Sequence, residues 1–241
     1  MDPSPLLHQT LADIVTADTR TADVFDRLGL DYCCHGHDTL EDAAAQRRLV
    51  PSDVLRDLAA LGPRDAGAPQ LNWGDLSDLT RHIVSRHHAC VREATPRITA
   101  WLNKLVSRHG AGHPELEQVR TVFAALAEEM RTHMAKEENI LFPVIDQLAE
   151  SARTGHRPPP GPFGTIMNPI RMMEADHQGA GEGLARLREL THGYQAPDDG
   201  CTTYRACYDE LARFEADLHR HVHLENHVLF PRAAALENEL V

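Results

Sequence analysis

Two stretches of this 241-residue chain repeat one chemistry-bearing pattern. His133 to Pro143 and His221 to Pro231 both read His-x3-Glu and then, after three further residues, Leu-Phe-Pro, at a constant offset of 88 residues. On a helix, positions i and i+4 lie on one face, so each copy presents an imidazole beside a carboxylate, His133 with Glu137 and His221 with Glu225. Histidine is over-used throughout, with 16 residues against 24 Lys+Arg. Imidazole is the commonest protein metal ligand, so the repeat points first to a cation.

The apolar pattern predicts where these pairs sit. Val119, Phe123, Leu126, Met130, His133, Glu137, Ile140 and Val144 trace one seam in steps of three and four, and Leu211, Phe214, Leu218, His221, Glu225 and Val228 trace another. Imidazole and carboxylate thus occupy core positions, where each would cost several kcal/mol without a partner. A cation compensates both copies at once. Two further seams offer matching ligands: Val84, His88, Val91, Thr95, Ile98, Leu102 and Leu105, and Ile170, Met173, His177, Gly181 and Leu184. Spacing alone leaves His87 open against His88, because Leu76, Ile83, His87 and Cys90 form a rival stripe. Four His and two Glu between four helices exceed one tetrahedral zinc and suit two first-row ions bridged by carboxylates, with open positions for oxo, hydroxide, O2 or NO.

The elements needed to position these residues are all helical. After residue 70 the pattern predicts four long helices: about Asp75 to Arg108, Pro114 to Ser151, a third opening at Asn168-Pro169 and ending near Gly193, and about Thr202 to Glu239 with a break at Pro231. The Pro/Gly-rich stretch Arg157 to Gly164 separates the halves. Before residue 70 the chain reads as short helices: Leu6 to Ala17, Thr21 to Leu28, Leu40 to Leu49 after the capping pair Thr39 and Asp42, and Pro51 to Leu61. The composition shift from Gly62 to Pro69 reads as a linker. The expected organisation is all-α, with a small helical cysteine-pair domain over residues 1–66 and a four-helix bundle over 70–241.

The bundle, with its order of lone His, His-x3-Glu, lone His, His-x3-Glu, resembles a hemerythrin-like domain. The segment Asp31-Tyr-Cys-Cys-His-Gly-His37 resembles the Asp-Tyr-Cys-Cys-Gly-Gly signature of the small N-terminal domain in the iron–sulfur cluster repair di-iron proteins, with His35 standing where that family has its first Gly. Cys201-Thr-Thr-Tyr204 and Leu224 to Pro231 resemble the same family, and the likeness covers nearly the whole chain. It implies a cofactor of two non-haem iron ions, oxo- or hydroxo-bridged, held by His88, His133, Glu137, His177, His221 and Glu225. It also implies repair of clusters damaged by nitrosative or oxidative stress, by donation of labile iron to iron–sulfur cluster proteins as clients. A di-iron enzyme reducing NO to N2O, and a module sensing O2 or NO, need the same six ligands and stay open as alternatives, as does a homodimer.

The remaining polar residues have weaker claims. Cys33 and Cys34 read as a thiol relay favoured toward thiolate by the following helix N-terminus, as a local zinc site with His35 and His37, or as two small buried thiols. His219, His223 and His227 lie about 200° around the helix from the ligand positions and are expected in solvent. Glu129 and Glu138 are candidates for supporting the ligands or plain solvated acids; Cys90, Cys201 and Cys207 read as core fillers. His8, His82, His109, His113, His156 and His192 receive no role. A net charge of −12 argues against nucleic acid as partner. No apolar run suits a membrane span. The opening stretch Met1 to Asp13 has no basic-then-apolar leader pattern, and five cysteines, an odd number, fit a reducing cytoplasm better than a disulfide scaffold.

Overall fold

The structure, a computed structural model, describes residues 4–63, 74–156, 158 and 163–240. The expected linker beyond Pro63 and most of the Arg157 to Gly164 stretch lie outside the described residues. Among the described residues the regular structure is helical, with one isolated antiparallel bridge between Thr10 and Thr39. That bridge joins two helix caps. Thr10 accepts the Asp13 N–H at the start of α1 (Leu11–Ala17), and Thr39 accepts the Asp42 N–H at the start of α3 (Leu40–Gln46). Between them α2 (Thr21–Leu28) closes on Gly29, whose φ of 69° needs a residue without a Cβ. α4 (Pro51–Ala59) opens with proline in its first turn. The expected helix Leu6 to Ala17 is interrupted: a single turn Ser4–Leu7 precedes α1, because Thr10 turns extended to act as its cap.

Four long helices follow. α5 comprises Leu76–His82, a π-helical turn Ile83–His88 and Ala89–His109. α6 comprises Glu115–Lys136, a π-turn Glu137–Leu141 and Phe142–Thr154. α7 is Met167–Leu190, and α8 comprises Thr202–Leu224, a π-turn Glu225–Leu229 and Phe230–Leu240. α5 packs on α6 and α8, and α6 packs on α7.

Three local expectations need correction. α7 does not start on an Asn168 cap; Thr165 Oγ1 accepts the Met167 N–H and the Glu237 carboxylate accepts the Ile166 N–H, while Asn168 reaches back to the Phe163 carbonyl. Pro231 does not break α8, because it falls just after the π-turn, in the first turn of the resumed α-helix. The seams slip by one residue at the same turns: Leu141 and Leu229 are buried, whereas Ile140 is 48% exposed and Val228 is only half-buried. A π-turn holds one residue more than an α-turn and advances the register by that residue.

The core has two apolar clusters. One runs through Val91, Ile98, Phe123, Leu126, Leu184 and Phe214 and continues into Phe25, Tyr32 and Leu40 of the N-terminal helices. The other gathers Leu79, Ile83, Phe142, Ile145, Ile170 and Phe230. In each long helix the polar positions fall between the segments feeding the two clusters.

Candidate metal centre

His88, His133, Glu137, His177, His221 and Glu225 meet in that interval, each between 0% and 1% exposed. Their ligand atoms form two sets sharing both carboxylates: His88, His221, Glu137 and Glu225, and His133, His177, Glu137 and Glu225. Glu137 directs Oε2 at His88 Nε2 (3.3 Å) and Oε1 at His133 Nε2 (3.2 Å). Glu225 directs Oε1 at His221 Nε2 (3.0 Å) and Oε2 at His177 Nε2 (3.0 Å). Each carboxylate therefore spans the two sets, one oxygen to each.

The polar atoms here ask for a cation. Both Glu137 oxygens, Glu225 Oε2 and His88 Nε2 are buried and make no hydrogen bond. The His177 and His133 Nε2 atoms stand 3.0 Å apart. Asn226 Nδ2 donates to the Cys33 carbonyl, which turns Asn226 Oδ1 toward His177 Nδ1 at 2.8 Å. His133 Nδ1 lies 3.3 Å from Asp176 Oδ2. With both Nδ1–H groups donating, the two Nε2 atoms can stand this close only with a positive charge between them, either a shared proton or a metal ion. His88 is set in the same way, its Nδ1 paired with Glu138, which Arg92 also holds. The residues present fit a pair of metal ions.

The charges respond accordingly. Burial opposes a charged His133, yet Glu137 and Glu225 raise its pKa to about 9. His88 is likewise raised, by Glu137 and Glu225 against the effect of burial. Burial works against the Glu137 carboxylate and so does Glu225, but His133 and His88 hold its pKa below the ordinary value. His221 moves down, chiefly through burial.

His87 is placed outside the cluster. It pairs with Asp217 at 3.1 Å, and its ring stacks on His221 with centroids 5.7 Å apart. Both rival histidines are buried because the π-turn Ile83–His88 carries one apolar stripe into the other. Glu138 supports His88, whereas Glu129 is exposed. Asp176 and Asn226 escaped the sequence reading; each directly adjoins a ligand candidate, but periodicity does not say which neighbour turns inward. A pocket of about 430 Å³, lined by Glu129, His133, Lys136 and Asp176 among others, leads from the surface to His133.

The histidine stripe of α8 is not in solvent, because the N-terminal helices cover it. His219 pairs with Asp26 at 2.8 Å, His223 lies 3.4 Å from the Tyr32 carbonyl and 3.3 Å from Thr16 Oγ1, and His227 meets the Cys33 carbonyl at 2.9 Å. Burial and the neighbouring His227 hold the His223 pKa down to about 4.

The cysteine pair lies against the bundle. Cys34 Sγ is 3.5 Å from the His177 carbonyl, and the two sulfurs are 3.8 Å apart. A zinc site with His35 and His37 is not assembled: His35 turns to Asp31 at 2.7 Å, and His37 packs on the His227 ring. The Cys33 thiol does not lean toward thiolate. The hydrogen bond to Cys34, burial and the Asp31 charge push its pKa well above the usual thiol value. Of the other cysteines only Cys207 is a core filler; Cys90 is half-buried, and Cys201 is exposed at the N-terminus of α8, its pKa lowered to about 7 by the Tyr204 backbone and His109.

Comparison with known proteins agrees with this geometry. Residues 78–233 match the hemerythrin HHE cation binding domain, and residues 7–62 match ScdA_N, a domain of unknown function (DUF542). The chain is 31% identical over 220 residues to the iron-sulfur cluster repair protein ScdA of Staphylococcus haemolyticus, covering 91% of this chain and 95% of that protein. It is 34% identical over 232 residues to the iron-sulfur cluster repair protein YtfE of Escherichia coli O157:H7, covering 95% and 98%. The YtfE protein of Pectobacterium carotovorum is 33% identical over 225 residues, covering 93% and 96%. With a buried His/Glu cluster between its long helices, the chain belongs to the hemerythrin HHE cation-binding family and is similar along nearly its whole length to the iron-sulfur cluster repair proteins ScdA and YtfE.

Proposed function

We propose that this chain is a di-iron protein that repairs damaged iron–sulfur clusters by supplying iron to cluster proteins. The observation that carries the reading is the pair of buried carboxylates, Glu137 and Glu225, each with one oxygen toward each histidine pair and three of their four oxygens without a hydrogen bond. In this reading His88 and His221 would hold one iron and His133 and His177 the other, with Glu137 and Glu225 available to both. Residues 70–241 form the iron-bearing unit and residues 1–66 the thiol unit. The bound ions supply iron for the client.

The protein's own residues set how firmly that iron is held. Two imidazoles and two shared carboxylates are few protein ligands for each ion they would hold, which would favour release over permanent storage. Glu138, Asp176 and Asn226 fix the imidazole rings of His88, His133 and His177. The pocket at His133 gives that half of the centre its approach from the surface. Cys33 and Cys34, set against the His177 helix, would take part in handing iron on.

The test uses the full chain loaded with ferrous iron and a client whose cluster NO has destroyed. Recovery of the client's cluster absorbance, lost with Glu137→Ala or Glu225→Ala, is the expected result. A loaded protein that consumes NO or O2 while the client stays unrepaired would overturn the repair reading in favour of turnover or sensing.

A further inference from the structure

The N-terminal helices bring a second set of ligand atoms together, away from the histidine centre. Asp31, Cys33 and Cys34 place one carboxylate oxygen and two sulfurs within 4.8 Å of one another. The sulfurs are 3.8 Å apart, and Asp31 Oδ1 is 3.2 Å from Cys33 Sγ. A tetrahedral ion with metal–sulfur bonds of about 2.3 Å has a sulfur–sulfur edge of about 3.8 Å, and a mixed oxygen–sulfur edge of about 3.5 Å. The first edge is already formed and the second is short by a few tenths of an ångström. Adjacent cysteines seldom aim at one point, but here Asp31 Oδ1 accepts both the Cys33 N–H (3.1 Å) and the Cys34 N–H (2.9 Å), which folds the backbone so that both sulfurs turn to the same side.

We infer that Asp31, Cys33 and Cys34 form a third cation site, for a thiophilic divalent first-row ion such as Fe2+, stacked on the His177 segment of α7. Two sulfurs and one carboxylate oxygen select against Mg2+ and Ca2+, which prefer all-oxygen shells. His35, paired with Asp31 Oδ2, orients the carboxylate as histidine–carboxylate pairs do around metals. A pocket of about 300 Å³ opens onto Asp31 and Cys33 and supplies the approach and room for a solvent ligand. On binding, both S–H bonds break, two metal–sulfur bonds form and two protons leave to solvent, with no change of oxidation state. The bound site then carries one net negative charge, which Arg47 on the pocket wall offsets. The site is independent of the iron count in the bundle; only its use in iron transfer rests on the repair reading.

Co2+ added to the full chain, its bundle already filled with iron, tests the site, because thiolate-to-cobalt charge-transfer absorption cannot arise from imidazole and carboxylate ligands. The expected result is a near-ultraviolet charge-transfer band saturating at one Co2+ per chain. Cys33→Ser and Cys34→Ser each abolish it, while His35→Ala weakens binding by about 10-fold. Cys34 is only half-buried, so its serine variant guards against misfolding at the buried Cys33, and unchanged bundle iron checks the fold. Absence of the band in a chain with normal bundle iron, or a band that survives Cys34→Ser, overturns this site and leaves the repair reading intact. Failure of client repair with the band present overturns the repair reading alone.

Discussion

Glu137 and Glu225 hold the charge balance of the centre. Each is fully buried, and each faces one imidazole of either histidine pair. Removing one leaves four buried imidazoles with half the carboxylate charge that would offset bound metal. Glu137→Ala or Glu225→Ala is therefore expected to lose most bound iron and to destabilise the loaded protein by about 3–5 kcal/mol, the scale for breaking a buried ion pair. Glu129→Ala, on the exposed side of α6, should leave the iron unchanged; metal analysis after gel filtration checks both. Asn226 and Glu138 call for a finer measurement. Each orients the ring of one histidine, from opposite halves of the centre. Asn226→Ala should loosen the His133/His177 half and Glu138→Ala the His88/His221 half, each by about 10–100-fold in affinity for one ion. Iron release to a chelator then becomes biphasic, with one fast and one slow equivalent. His133, Glu137, His177, His221 and Glu225 were legible in the sequence as polar residues interrupting an apolar seam at a fixed register, whereas only the family resemblance favours His88 over His87. Asn226 and Asp176 were not legible, since their partners come from other elements and depend on tertiary packing; the Asp31 anchor is local, but its turn outside a helix carries no periodicity to reveal it.

At the scale of elements the π-turns shape the centre. The turn in α6 begins at Glu137 and the turn in α8 at Glu225, and the N–H groups of Phe142 and Phe230 close onto the carbonyls of those same glutamates. The extra residue brings Phe142 against His88 and Phe230 against His177, with ring centroids 5.8 and 6.0 Å apart. It also opens the backbone where Pro143 and Pro231 cannot donate an N–H. Deleting Ile140 should restore an α-turn and, because the π-turn holds one residue more, keep the later residues of α6 on the same faces while closing the widened backbone at the Glu137 carbonyl and shifting Phe142 against His88. Because Ile140 is 48% exposed, Ile140→Ala is expected to be nearly silent, whereas the deletion should release most of the iron and lower the midpoint of thermal unfolding. Calorimetry with metal analysis separates the two. The helices themselves followed from their apolar periodicity. Their π-turns did not, because a one-residue slip within a mixed three-and-four pattern leaves two seams equally plausible; that is also why His87 and His88 could not be told apart by spacing.

Over the whole molecule the question is how far the two units depend on each other. All six ligand candidates come from residues 88–225, so a chain lacking residues 1–66 retains the full set. The apolar cluster that includes Phe123 and Leu218 nevertheless continues into Phe25, Tyr32 and Leu40, and the α8 stripe His219, His223 and His227 is covered by the same segment, His223 being buried and the other two half-buried. Truncation would expose that surface and remove the Cys33 carbonyl that orients Asn226. The shortened chain is therefore expected to load iron but to unfold at lower temperature, a loss of about 2–4 °C for each kcal/mol of stability in a chain of this size. On the di-iron proposal its two halves should also become unequal: the His133/His177 half, deprived of a fixed Asn226, would release iron faster, while the His88/His221 half, held through Glu138 inside the bundle, would keep its rate. The two-part reading in the sequence came from composition and motifs, which mark where one unit gives way to the next but carry no information on which faces they press together. Equal release from both halves of the truncated protein would mean that the thiol segment does not orient His177 through Asn226. Failure to load iron at all would mean that residues 1–66 are needed to assemble the centre.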